Sequence, residues 1–244
     1  MKKILLLFAA IALVVAAGSF GYLYLSLNTL VKKGVETIGP KITRSDVKLD
    51  SALLLPFSGS DSLKGLVIGN PEGFGKSYAL KVGKISVNVD KDTLLSDTIV
   101  ITEIRISQTS ITLEGTLRGN NLGKLMENIK SYDSGSKTPK GKQNTPSKKF
   151  IVKRVFVTGI QLNVAASALG QSVSQTLPLG DIHLENLGSE HSGISAADVA
   201  QQIMIPLINS AIREGINILS KQGLQQLEQQ GVGGVQKALQ NLFK

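Results

Sequence analysis

Alternating apolar and polar residues run through the middle of the chain and predict a series of β-strands. The alternation is clearest in ALKVGKISVNVD, where Ile85, Val87 and Val89 share one face and polar residues occupy the other. A period of two is typical of a strand with one buried face. The segments DVKLDSALLLPF, SDSLKGLVIGN and DTIVITEIRISQTSITLEG behave similarly and follow each other through short links, which favours an antiparallel meander.

The apolar phase shifts within two of these segments. In DTIVITEIRIS it changes after Ile101, which predicts a bulge or kink near Thr102–Glu103. In FIVKRVFVTGIQLNVAA it changes at Gly159, and SVSQTLPLGDIHLENLG supplies one further strand. We therefore expect the sheet to continue beyond the first meander, with local irregularities in its longer strands.

Helical spacing replaces alternation in two places. Apolar residues at 122, 125, 126 and 129 predict a short helix within residues 116–130. From Ser195 onward, an N-cap serine with Asp198 three residues later begins a long amphipathic segment, which Pro206 should kink. A second helical segment follows in GLQQLEQQGVGGVQKALQNLFK. These C-terminal helices either complete the core or lie on a membrane or partner surface.

The N-terminus carries an uncharged run from Ile4 to Val31, flanked by lysines on both sides. A helix of about 20 residues crosses a bilayer core, so the run is long enough to span. A cleaved signal peptide ending at Val15-Ala16-Ala17 is the alternative, but apolar residues continue well beyond that site. We favour a retained single-pass anchor in the inner membrane, with the rest of the chain facing the periplasm.

The predicted fold class is α+β: an N-terminal transmembrane helix, an antiparallel β-rich meander forming a curved sheet or groove, and C-terminal helices. The predicted regions are an anchor or signal at 1–33, a β-rich region at 34–130, a flexible basic linker or loop at 131–149, further strands of the same sheet at 150–190, and C-terminal helices at 195–244. The linker lysines are a solvated tether or contact anionic head groups; they are Lys137, Lys140, Lys142, Lys148 and Lys149.

Composition narrows the chemistry. The 244 residues include no cysteine and two histidines, which excludes disulfides, thiolate metal sites and cysteine nucleophiles and argues against a multi-histidine metal site. His183 falls on the polar face of a strand and His191 in a loop, so we assign neither a catalytic role. The net charge of +9 suits anionic lipid or solubility, and an exported domain makes nucleic acid an unsuitable partner. We predict no enzyme activity, no cofactor and no metal.

The stretch GLVIGNPEGFGKS resembles a phosphate-binding loop but fails its spacing. A Walker A loop ending at Gly75-Lys76-Ser77 requires its first glycine at position 70, which is Asn70. A strand pattern follows Ser77, whereas a phosphate loop must open a helix. We interpret the stretch as a turn made by Gly69, Asn70, Pro71, Gly73 and Phe74, in which Phe74 folds back onto the core and fixes the turn.

The order of these features resembles the N-terminal region of the AsmA-like family of bacterial envelope proteins. The matching elements are the GNPEGF turn, the LLSDTIVITEIRI strand and the ITLEG ending followed by NL, and they lie within residues 1–125. The resemblance implies a groove-forming periplasmic domain on an inner-membrane anchor; large members look like bridge-type lipid carriers. This chain is short, which limits it to a stub in an oligomer, a partner of another envelope protein, or a local lipid-binding module.

Our leading hypothesis is a non-enzymatic domain that binds or helps transfer lipid acyl chains. The alternative is an envelope assembly protein that binds another protein or itself, without a lipid ligand. The candidate groove residues are Ile85, Val87, Val89, Ile104, Ile106, Ile111 and Leu113. The same residues are ordinary core if the C-terminal helices cover them.

Overall fold

A computed structural model describes residues 27–55, 60–75, 78–116, 119–132, 148–168, 171–188 and 192–230. Its helices are α1 over residues 27–43, α2 over Asn121–Ser131 and α3 over Ala196–Gln230, with a short 3₁₀ helix at Lys91–Thr93. Its strands are β1 Val47–Leu53, β2 Ser60–Gly69, β3 Tyr78–Val89, β4 Thr98–Thr116, β5 Lys149–Val157, β6 Ile160–Ala168, β7 Gln171–Leu179 and β8 Ile182–Leu187.

All eight strands belong to one sheet. Strands β1 to β4 form the predicted antiparallel meander. The first half of β4 then pairs with β5 and the second half with β6, and both pairings are parallel. Strands β8 and β7 lie antiparallel beyond β5 and β6. The purely antiparallel expectation was therefore wrong at β4, because the connection carrying α2 crosses over and returns the chain in the same direction.

The long strands change their side-chain phase along one row of the sheet. Gly65 in β2, Gln108 in β4 and Gly159 between β5 and β6 all have positive φ. The strand registers place them in one row across the sheet, with Gly83 of β3 between Gly65 and Gln108. On either side of this row Val157 and Ile160 are both fully buried, although they are three residues apart. The shift predicted at Gly159 is confirmed.

A second irregularity lies nearer the N-terminal end of β4. Asn88 pairs with Glu103 whereas Val89 pairs with Ile101, so Thr102 is the additional residue of a bulge. This confirms the irregularity predicted from the phase change near Thr102–Glu103. The shift at Gln108 was not predicted.

The apolar side chains of both halves of the sheet face α2 and α3 and form one core with them. Asn120 is the N-cap of helix α2, and its side chain accepts a hydrogen bond from the Gly123 backbone N–H. Helix α3 begins with the predicted capping box: the Ser195 hydroxyl accepts from the Asp198 N–H, and the Asp198 carboxylate accepts from the Ser195 N–H. The helix continues through Pro206 to Gln230, so the expected second helix does not start at Gly223. Residues 231–244 lie outside the described residues.

Helix α1 covers the edge of the sheet at β1. Its side chains at one-turn intervals bind backbone groups of the strand: Asn28 Oδ1 accepts from Leu54 N–H, and Glu36 Oε1 accepts from Leu49 N–H. Between them the Lys32 ammonium donates to the Asp50 carbonyl at 3.1 Å. Because an uncovered edge strand is a template for unwanted pairing, these contacts protect this side of the sheet.

Within the described ranges, no helix has both the length and the apolarity needed to cross a bilayer. The predicted anchor falls mainly on residues 1–26, which lie outside those ranges. The anchor therefore stays a prediction from the sequence.

We expect Gly159→Ala to lower the free energy of unfolding by about 1–2 kcal/mol, the cost of a left-handed conformation for an L-residue. A Cβ at Gly159 meets nothing within 4 Å, so the effect comes from φ of +62° alone. Gly180 follows β7 and also has open space, without a positive φ, so Gly180→Ala is the matched control and should be nearly neutral. Urea unfolding of the full chain in detergent measures the free energy of unfolding of both variants. Equal losses of stability would contradict the role of Gly159 in the phase shift.

Candidate functional site

The seven predicted groove residues divide into two groups. Four of them belong to the closed core, with Ile111 at 0% exposure; these are Ile104, Ile106, Ile111 and Leu113, all in β4. The other three, Ile85, Val87 and Val89 in β3, are half-buried and pack against that core from its margin. The alternative that these positions form ordinary core therefore applies to β4, and only the β3 residues keep a partly open face.

The position of α3 explains this division. The helix packs on β4 to β8, and Gly215 lies so close to Leu113 that a Cβ there would collide with it. Helix α2 covers the second half of β4, where Leu122, Leu125 and Ile129 are fully buried. Neither helix extends fully over the second half of β3, which leaves its apolar residues only partly covered.

One neighbouring residue extends this surface. Leu63 in β2 lies directly opposite Ile85, which in turn lies opposite Ile106. We call the set Leu63, Ile85, Val87 and Val89 the half-covered strip. Asp61, opposite Val87, borders it, but its carboxylate already accepts a hydrogen bond from Leu55 N–H at 2.7 Å. The strip is therefore apolar along its length, with a charged side chain at its border.

The strip lies at the same end of the sheet as the first described residues of α1. Asn28, in the first turn of the described part of α1, bonds to Leu54. Continuing the β1–β2 register places Leu54 opposite Asp61, in the row of Val87. The partly open apolar surface and the start of α1 thus share one end of the molecule.

The GNPEGF turn lies at the opposite end and is held by a buried polar network. Asn121, the first residue of α2, is fully buried and donates to Asn70 Oδ1 and to the Thr112 carbonyl, each at 2.7 Å. Its side-chain oxygen accepts from the Glu114 N–H at 2.8 Å. The Glu114 carboxylate accepts in turn from the Gly75 N–H at 2.6 Å and from Asn70 Nδ2 at 2.9 Å. The turn, the end of β4 and the start of α2 are therefore one unit.

This network changes the roles of the turn residues. Gly73 has φ of +94°, as a tight turn requires, whereas Gly69 and Gly75 do not have positive φ. A Cβ on Gly75 would instead crowd the Glu114 carboxylate. Pro71 is buried, but Phe74 is only half-buried, so the expectation that Phe74 fixes the turn by folding onto the core was wrong. Glu114 and Asn121 fix it, and the sequence analysis missed both.

The outer face of the sheet carries charged and aromatic groups. Phe156 in β5 lies between Arg105 in β4 and His183 in β8. The Arg105 guanidinium lies 4.8 Å from the centre of the Phe156 ring, and the centre of the His183 ring lies 4.0 Å from it. Glu103 binds Arg105 at 2.6 Å and Arg154 at 3.8 Å. His183 is exposed, as predicted for a polar strand face. These contacts stabilise the surface through stacking and charge pairing.

In the part of the chain that the structure describes, no group of three or more His, Asp or Glu side chains could hold a metal ion. His191 lies outside the described ranges. The half-covered strip is thus the candidate site that the described residues offer.

The chain matches no family model, and comparisons with curated proteins and with solved structures found no significant similarity. What the structure itself defines is a class of fold, α+β, with three helices on a large, mostly antiparallel mixed sheet. The AsmA-like resemblance stays a prediction that rests on the sequence.

We expect Asn121→Ala to lower the free energy of unfolding by about 2–4 kcal/mol, because it leaves several buried partners unsatisfied. Asn88→Ala is the control: Asn88 is exposed on the outer face and its removal should change stability by about 0.5 kcal/mol or less. Chemical denaturation of both variants gives the comparison. Similar losses for the two would show that the network contributes nothing particular.

Proposed function

We propose that this chain is a non-enzymatic, membrane-anchored module of the bacterial cell envelope that binds lipid acyl chains and helps to transfer them. The half-covered strip supports the proposal most directly. A contiguous apolar patch that a folded domain leaves partly open marks a site for a ligand, a partner or a membrane. Its four residues carry no hydrogen-bonding side chain, which suits a hydrocarbon ligand.

The place of the strip agrees with this role. It lies at the same end of the sheet as the first described residues of α1, and the apolar run from Ile4 to Val31 leads into that helix along the chain. If that run is held in a bilayer, the strip is close to the membrane surface. A lipid tail leaving the bilayer would then meet an apolar surface before it met water.

The dimensions of the strip limit what the module does. From Ile85 to Val89 a strand rises roughly 13 Å, at about 3.3 Å per residue. This length accommodates part of one acyl chain and is far too short to cross a periplasm. We therefore propose local binding or hand-over of a single lipid at the strip.

The second candidate function is assembly with another envelope protein or with a second copy. Its support is the outer edge of β7 and β8, whose pairings among the described strands are on one side only. An extended segment of a partner could add to that edge. Pro178 within β7 weakens this candidate, because proline removes a backbone donor and is a common protection of edge strands.

The lipid-binding proposal predicts that Val87→Asn lowers the amount of phospholipid that co-purifies with the full chain. A polar amide in the strip must lose water when a hydrocarbon chain covers it, which costs about 1–3 kcal/mol and lowers occupancy roughly tenfold. The purified protein is exchanged into lipid-free detergent micelles. Native mass spectrometry then measures the fraction of protein that carries bound phospholipid.

The matched control is Ser86→Asn, which introduces the same side chain one residue earlier, on the outer face of β3. We expect its lipid occupancy to equal that of the unmodified chain. Thermal unfolding of both variants shows whether the fold is retained. Absence of phospholipid from the unmodified chain, or equal loss in both variants, would refute acyl-chain binding at the strip.

A further inference from the structure

Four of the six large apolar side chains that are exposed in the described ranges lie at one end of the sheet. Leu95 is 96% exposed, Leu30 66%, Leu53 44% and Leu55 37%. Leu53 and Leu55 lie at the β1–β2 turn, and Leu95 lies in the β3–β4 connection. Because β1 to β4 are neighbours in antiparallel order, these two turns lie at the same end of the sheet. Leu30 lies near this end as well, because Asn28, two residues before it in α1, accepts a hydrogen bond from the Leu54 N–H.

Leu95 is exposed on a well-supported turn. The Asp90 carboxylate caps the 3₁₀ helix, and the Thr93 hydroxyl accepts from the Val100 N–H at 2.9 Å. The Lys148 ammonium donates to the carbonyls of Leu95 and Ser96, at 3.4 and 2.5 Å. These bonds hold the turn in place while the Leu95 side chain projects outward. An exposed leucine on an ordered turn is expected where the side chain contacts another surface.

We propose that these four leucines, the leucine rim, insert into the surface of a phospholipid bilayer. The uncharged run from Ile4 to Val31 includes Leu30, so the rim is continuous along the chain with the segment predicted to enter the membrane. The inference rests on the proposed function in that it takes this segment to be in the bilayer. The rim then sets the orientation of the sheet, with the half-covered strip opening beside the membrane.

The charges around the rim indicate insertion by apolar contact and not by electrostatic attraction. Three carboxylates and three lysines surround the β3–β4 turn: Asp90, Asp92, Asp97, Lys91, Lys148 and Lys149. A balanced set gives little net attraction to anionic lipid. Insertion should therefore occur on zwitterionic vesicles and persist in high salt, which screens charge but not apolar burial.

The chain has no tryptophan, so L95W creates a single reporter in the full-length protein. We would reconstitute it into phosphatidylcholine vesicles with brominated acyl chains. Insertion at the depth of an interfacial side chain predicts a blue-shifted emission and a roughly twofold or greater loss of intensity. F74W places the same reporter in the turn at the opposite end of the sheet and should show no quenching.

Each outcome bears on the rim. Quenching of L95W alone, unchanged by high salt, supports apolar insertion. No quenching of L95W, quenching that salt abolishes, or equal quenching of F74W would overturn it. Phospholipid co-purifying with the L95W protein tests the proposed function separately. Bound lipid without quenching rejects only membrane insertion of the leucine rim. Quenching without bound lipid rejects only acyl-chain binding at the strip.

Discussion

Strict alternation of side chains constrains any long strand, because residues two apart must lie on the same face. Strand β4 is 19 residues long, and its apolar residues lie at even positions in its middle and at odd positions toward its end. Without a shift they would face opposite sides, and one helix layer could bury only half of them. The positive-φ residues Gly65, Gln108 and Gly159 supply that shift along one row. The single core, and the coverage of both halves by α3, depend on it.

Much of this architecture could be predicted from local pattern, and the failures share a physical cause. The irregularities near Thr102 and at Gly159 were visible because the apolar phase changes within a few residues. The shift at Gln108 was hidden, since Ile106 and Ile111 are separated by four polar residues and a non-glycine occupies the left-handed position. The parallel pairing of β4 with β5 was also hidden, because alternation is the same for either strand direction.

The candidate site was predictable only as far as it depended on single strands. Apolar alternation identified the residues of β3 and β4 equally. What distinguishes Val87 from Ile111 is the placement of α2 and α3 over β4, and α3 begins more than 80 residues further along the chain. The turn shows the same limit. Glycines and proline indicated a turn, whereas the groups that hold it, Glu114 and Asn121, become its neighbours only when β4 ends beside it.

The partly covered surface has an energetic cost that a lipid environment would offset. Each half-buried aliphatic side chain of the strip forgoes on the order of 1 kcal/mol relative to full burial. Exposure of Leu95 on a hydrogen-bonded turn adds a similar amount, in a fold whose net stability is expected to be about 5–15 kcal/mol. Strip and rim lie at one end, whereas the other end is closed by the buried Asn121 network. Four of the six large apolar side chains exposed in the described part of the chain thus lie where the chain is predicted to enter the bilayer, and there an acyl chain or the bilayer surface would cover them.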